Sequence, residues 1–193
     1  MAERIVILGA GHAGGATAIA LRELGFSGSI LVVGDEAHPP YERPGLSKEY
    51  LSGAEADPVW LAPVERWTEL DVTLKLGAEA VAIDRDRGEI GLADGSVEPF
   101  DTLVLAMGGR VRRLPLPDHS PVRYLRTGDD ARAIAAAAKP GARALVIGGG
   151  VIGLEAASTL RGLGLTATGI EAGKPLLGRN VPAEAAEWLA LPH

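Results

Sequence analysis

Arg4-Ile5-Val6-Ile7-Leu8-Gly9-Ala10-Gly11-His12-Ala13-Gly14 and Arg143-Ala144-Leu145-Val146-Ile147-Gly148-Gly149-Gly150-Val151-Ile152-Gly153 are two copies of one pattern, offset by 139 residues. Each is a short apolar run, then G-x-G-x-x-G, then residues that favour a helix. An acid follows each copy: Asp35, 21 residues after Gly14, and Glu171, 18 after Gly153. Ile5 to Leu8 are unbroken aliphatics, the composition of a strand buried on both faces of a parallel sheet. The first glycine permits a tight turn, the second lets a pyrophosphate approach the backbone, and the third lets the helix pack closely on the strand. The helix start presents free N–H groups and the positive end of its dipole to phosphates. Asp35 closes a second strand, Ile30-Leu31-Val32-Val33-Gly34, where a carboxylate can accept from ribose hydroxyls. One such unit predicts one dinucleotide. Two predict a pair held side by side, as electron transfer between cofactors requires.

The helices repeat as well. Ala18, Leu21, Arg22, Leu24 and Gly25 recur as Ala157, Leu160, Arg161, Leu163 and Gly164. Ala, Leu and Arg favour helix, and each glycine stands where a helix should end. The second copy closes on Thr166-Ala167-Thr168-Gly169-Ile170-Glu171, a poorer strand that Gly169 is expected to interrupt.

Composition narrows the function. The 193 residues suit one large or two small domains, and 47% of them are hydrophobic, enough for a buried core. Aromatics are only 4% and the net charge is −6 with scattered cations, so neither a base-stacking platform nor a nucleic-acid partner is expected. No apolar run approaches the ~20 residues of a membrane span, and the N-terminal apolar run reads as a first strand rather than a secretory signal. A cytoplasmic location is the default expectation. Cysteine is absent, so electrons cannot be relayed through a thiol of this chain.

Between the two copies the pattern changes. Gly34 to Pro58 is a loop rich in proline and charge, with a short helix expected over Leu46 to Leu51. Val59 to Leu70 reads as a helix with Pro63 in its first turn. Val72 to Leu76, Ala80 to Asp84, Glu89 to Leu92 and Val97 to Phe100 read as a strand and a small antiparallel meander. Thr102 to Ala106 is again a buried-strand run, ending at Met107-Gly108-Gly109. Val111 to Val122 is a proline-rich linker, and Asp129 to Ala138 an alanine-rich helix. Pro182 to Leu191 can supply one last helix. The expected fold class is α/β. A Rossmann-like domain over 1–122, with a parallel sheet and a small meander, precedes the first β-α-β of a second Rossmann-like domain over 123–193. With no third strand after Ile170, the second sheet is expected to leave an open apolar edge.

Gly34-Asp35-Glu36-Ala37-His38-Pro39-Pro40-Tyr41-Glu42-Arg43-Pro44-Gly45-Leu46-Ser47-Lys48-Glu49-Tyr50-Leu51 resembles a signature of the flavoprotein reductases that feed electrons to ferredoxins, rubredoxins and related iron–sulfur proteins. Putidaredoxin reductases and the reductase components of aromatic-ring dioxygenases are the nearest group; apoptosis-inducing factor is more distant. Asp101 to Ala106, Tyr124 to Thr127, Val146 to Glu155 and Leu177 to Pro182 match too, so the resemblance runs nearly end to end. It implies FAD at the first fingerprint, contacted by Gly9, Gly11, Ala13, Gly14, Asp35, Arg43, Lys48, the backbone of Ala80, Gly108 and Arg126. It implies NADH at the second, on Gly148, Gly150, Ile152, Gly153 and Glu171. A carboxylate at Glu171 repels the extra phosphate of NADP. Lys48 and Glu155 resemble an ion pair beside the reactive edge of the flavin, the two residues assigned to catalysis. Read alone, Lys48 is an exposed helix lysine and Glu155 a solvated helix carboxylate. The implied reaction is hydride transfer from NADH to FAD, then electron transfer to a ferredoxin-type protein.

The chain departs from that family pattern at several points. Gly45 stands where a second proline is usual, and Met107 and Gly109 replace a Thr and an Ala. Family members continue beyond the position of His193. Two further expectations follow: a truncated, non-catalytic dinucleotide-binding fragment with weak FAD affinity, or completion by a separate chain or a homo-oligomer. His12, His38, His119 and His193 form no i, i+4 pair, so no metal site is expected. Ser47 reads as a helix-start residue.

Overall fold

The computed structural model describes residues 3–117, 120–173, 176–178 and 180–190. His119, Arg179 and His193 lie outside them. In chain order the elements are β1 (Arg4–Leu8), α1 (His12–Glu23), β2 (Ser29–Val33), a 3-10 turn (Pro44–Ser47), α2 (Glu49–Ser52), α3 (Val64–Glu69), β3 (Val72–Lys75), β4 (Ala80–Asp84), β5 (Glu89–Leu92), β6 (Val97–Pro99), β7 (Thr102–Leu105), α4 (Gly128–Ala137), β8 (Arg143–Ile147), α5 (Val151–Gly162), β9 (Thr166–Ile170) and α6 (Ala183–Ala190). They form two compact units. One holds the chain up to Glu42 together with Val59–Arg110; the other holds Arg43–Pro58 and the chain from Val111 onward.

The first unit is built on a four-stranded sheet in the order β3-β2-β1-β7. All three pairings are parallel, with Ile7 opposite Val32 on one side and Val104 on the other. Alternate side chains of a strand point to opposite faces, and both faces here are covered. Ile5, Ile7, Ile30 and Val32 pack with Ala18 of α1 and Trp67 of α3. Val6, Leu8, Leu31 and Val33 pack with Ile90 and Leu92 of the meander. That double burial explains why β1 and β2 carry no polar residue after their first position. The meander β4-β5-β6 is antiparallel, with a bulge between Ala80 and Ala82.

Arg22 ends α1 by donating to four carbonyls: Leu70 (2.7 Å), Phe26 (2.6 Å), Gly28 (2.8 Å) and Asp71 (2.7 Å). It ties the helix end to the approaches of β2 and β3. Ile7 is fully buried at the sheet centre, so Ile7→Ala should destabilise this unit by about 2–5 kcal/mol. A urea midpoint that falls at unchanged slope would register that loss.

The helix expected over Val59 to Leu70 is shorter than its sequence suggested. Pro63 is extended (φ −54°, ψ 150°), so α3 begins only at Val64. Trp60 instead forms an antiparallel bridge with Tyr41, and their rings meet edge to face at 6.3 Å. The backbone N–H of Glu42 donates to the Val59 carbonyl (2.8 Å), and that of Leu61 to Pro40 (2.9 Å).

In the second unit β8 and β9 pair in parallel, Arg143 opposite Thr166 and Ile147 opposite Ile170. Gly169 does not interrupt β9: it pairs with Val146, and the ladder runs through it. Leu145, Ile147 and Ile170 are 59%, 51% and 50% exposed, an uncovered apolar surface among the described residues. The expected helix over Leu46 to Leu51 is broken at Lys48 (φ −124°, ψ −107°) into the 3-10 turn and α2. The expected last helix is α6, which follows Pro182. Among the described residues no helix is long and apolar enough to cross a membrane.

Candidate functional site

The two glycine fingerprints share one geometry. Gly9 and Gly148 end their strands at φ +112° and +117°. A side chain is strained in that left-handed region. Their N–H groups donate to the carbonyls that close the second strands, Val33 (2.7 Å) and Ile170 (2.8 Å). Gly11 and Gly150 stand before α1 and α5 with extended backbones (φ −86° and −83°), and no side chain caps either helix. A Cβ at Gly14 would run into the Gly9 carbonyl, and one at Gly153 into that of Gly148. Each fingerprint thus turns its strand sharply into a helix whose first N–H groups are left to another acceptor.

The copies differ in their surroundings. A Cβ on Gly9 would strike the Ala106 carbonyl beyond β7, whereas nothing lies within 4 Å of one on Gly148. Their acids differ too. Asp35 is exposed just beyond β2, while its neighbour Glu36 is engaged by the Tyr41 hydroxyl at 2.5 Å. Glu171 reaches back to its own glycine loop and accepts from the N–H groups of Gly149 (2.5 Å) and Gly173 (2.9 Å). Glu171 directly follows the last paired residue of β9, whereas Gly34 stands between β2 and Asp35.

The other expected residues of the first unit sit as follows. Ala13 lies in the first turn of α1, and its carbonyl accepts from Thr17 (2.8 Å). Ala80 opens β4 beside the bulge, and Gly108 (φ +65°) is exposed after β7.

The second unit brings Lys48 and Glu155 together. The Lys48 ammonium lies 3.1 Å from Glu155 Oε1. Neither side chain is lost to solvent: they are 44% and 28% exposed. The Ser47 hydroxyl donates to Glu155 Oε2 at 2.6 Å. That bond, above all, holds the Glu155 carboxyl below the ordinary carboxylate range, with Lys48 adding to it and burial opposing both. What the pair contributes to stability is present above that ordinary range. It is lost as the pH falls through the lowered Glu155 value.

Arg43, Lys48, Arg126, Ile152 and Glu155 line one cavity of about 300 Å³. Arg43 donates to the Arg126 carbonyl (2.6 Å). Arg126 is set by the start of α4, where Asp130 accepts from the N–H groups of Arg126 and Thr127 (both 2.9 Å) and Thr127 accepts from Asp130 (3.1 Å). The cavity therefore sets three cations against one carboxylate on an apolar wall, a net positive site suited to an anionic, partly apolar ligand.

Ser47 corrects the sequence reading. It does not start a helix: Lys48 is the residue before α2, and the serine side chain caps nothing there. It serves Glu155 instead. The signal was Glu155 and Thr159, two polar residues four apart on the apolar helix α5, which share one face. Among the described residues no acid or histidine cluster could hold a metal ion.

The pyridine nucleotide-disulphide oxidoreductase family model matches residues 3–192. The ferredoxin–NAD(+) reductase subunit of a benzene 1,2-dioxygenase system of Pseudomonas putida is 40% identical over 98% of this chain and 47% of its own length. Rhodocoxin reductase of Rhodococcus erythropolis is 38% identical over 98% and 45%. Putidaredoxin reductase, in its covalent complex with putidaredoxin, matches with a TM-score of 0.92 and 36% identity over 97% of this chain and 46% of that one. The chain spans about half the length of the relatives it matches. From Glu3 to its last helix, this cysteine-free chain belongs to the pyridine nucleotide-disulphide oxidoreductase family.

Proposed function

We propose that this chain carries FAD- and NADH-binding segments of a ferredoxin reductase. The observation that carries the reading is the geometric identity of the two fingerprints, each a glycine turn feeding an uncapped helix start. That likeness fits two pyrophosphates, because each turn leads into a helix start that no side chain caps, and the third glycine of each keeps that helix close on its strand. FAD falls to Gly9, Gly11, Ala13, Gly14, Asp35, Arg43, Lys48, Ala80, Gly108 and Arg126. NADH falls to Gly148, Gly150, Ile152, Gly153 and Glu171. The proposed division at 122/123 separates the two fingerprints, and Arg126 is the one FAD residue assigned beyond it.

When bound, the two cofactors supply the chemistry: a hydride passes from NADH to FAD, and its electrons leave singly to an iron–sulfur protein. The chain supplies placement and charge. Asp35 and Glu171 offer carboxylates to ribose hydroxyls, and Glu171 opposes the added phosphate of NADPH. Lys48 holds a positive charge and Glu155 orients it. The partner that fits is a ferredoxin-type protein, as the names of the relatives suggest. The test is reduction of such a ferredoxin by the purified chain with FAD and NADH. NADH should outperform NADPH. Ferredoxin reduction that proceeds equally without FAD would sink the reading.

A further inference from the structure

We propose that Ser47 is a positioning residue whose hydroxyl fixes the Glu155 carboxylate and, through it, the ammonium of Lys48. Ser47 is 4% exposed, the one buried polar residue among the described residues. A hydroxyl has one proton to give. The Glu155 oxygen lies at 2.6 Å and the Pro44 carbonyl at 3.4 Å, so the proton goes to the carboxylate. Lys48 serves the other oxygen. With a donor on each oxygen, the carboxylate is fixed in plane and kept in its charged form.

The serine is itself held. Thr159 donates its hydroxyl to the Ser47 carbonyl at 2.7 Å. Glu155 takes from the serine side chain and Thr159, one turn on, gives to its backbone, so α5 grips Ser47 at two points. The grip sits where the helix breaks at Lys48 (φ −124°, ψ −107°). A conformation that neither flanking helix would adopt is therefore pinned from outside. Among the described residues, Glu155 is the sole ion-pair partner of Lys48. Losing the serine hydroxyl frees the carboxylate, and with it the lysine.

The other charged groups on the cavity are the cations Arg43, Arg126 and Lys48, so Glu155 is the one carboxyl that lines it. An acid titration there reports Glu155. The experiment is carbon-13 NMR of the glutamate carboxyls in the cofactor-free chain across pH. The unmodified chain should show Glu155 titrating below the ordinary glutamate range. Ser47→Ala should shift its midpoint up towards that range. Thr159→Val, which loosens the same segment but spares the serine hydroxyl, should leave it low. An ordinary midpoint in the unmodified chain overturns the proposal, and so does a Ser47→Ala chain, folded by circular dichroism, whose midpoint does not move. A Thr159→Val shift as large as that of Ser47→Ala overturns it too. The unmodified chain decides even if Ser47→Ala fails to fold. The inference rests on the proposed function only for what Lys48 serves. With no cofactor present, failure here is distinct from failure to bind FAD.

Discussion

Gly9→Val should destabilise the first unit by about 5 kcal/mol or more, an exceptional cost that rivals the whole stability of a domain. Two penalties combine. A β-branched residue is strained at φ +112°, and its Cβ would strike the Ala106 carbonyl just beyond the edge strand β7. Backbone in a four-stranded sheet cannot step aside without breaking the β1–β7 ladder. Gly148→Val carries the same strain but meets nothing within 4 Å, so its cost should be only about 1–3 kcal/mol. Urea unfolding of the two variants separates them. Equal losses would contradict the unequal surroundings of the two fingerprints.

Lys48→Met should lower the rate of FAD reduction by NADH about 10²-fold at saturating concentrations of both. The precedent is the loss from removing one preorganised charge-stabilising donor. Methionine keeps the length and apolar stem of the side chain but not its charge. The lysine is 44% exposed, so the far-UV spectrum should hold and the loss of its ion pair should cost about 1 kcal/mol or less in urea. Glu155→Gln should show a smaller loss, because the lysine then keeps its charge and loses its guide. Anaerobic stopped-flow absorbance measures both. A Lys48→Met rate equal to the parent would remove Lys48 from the reacting centre.

Much of the fold was legible because its signals are local. The unbroken β1 and β2 runs announced a sheet buried on both faces, and the turns at Arg87-Gly88 and Asp94-Gly95 announced the meander. Legibility failed where distant contacts decide. Val59 to Ala62 fall in the helix expected up to Leu70, yet Trp60 forms a bridge with Tyr41. Gly169 looked like a break, yet the ladder to β8 carries the chain through it. In the site, Lys48 and Glu155 paired only by family resemblance; each alone reads as solvated. Ser47 was misread because its partner lies 108 residues away, a separation no local pattern encodes.

The most direct test of two cofactors served by one chain is an anaerobic titration of the FAD-loaded protein with NADH. We predict saturable FAD binding and loss of the visible flavin absorption at one NADH per FAD. Failure to retain FAD, or bound FAD that keeps its absorption under excess NADH, would contradict the account.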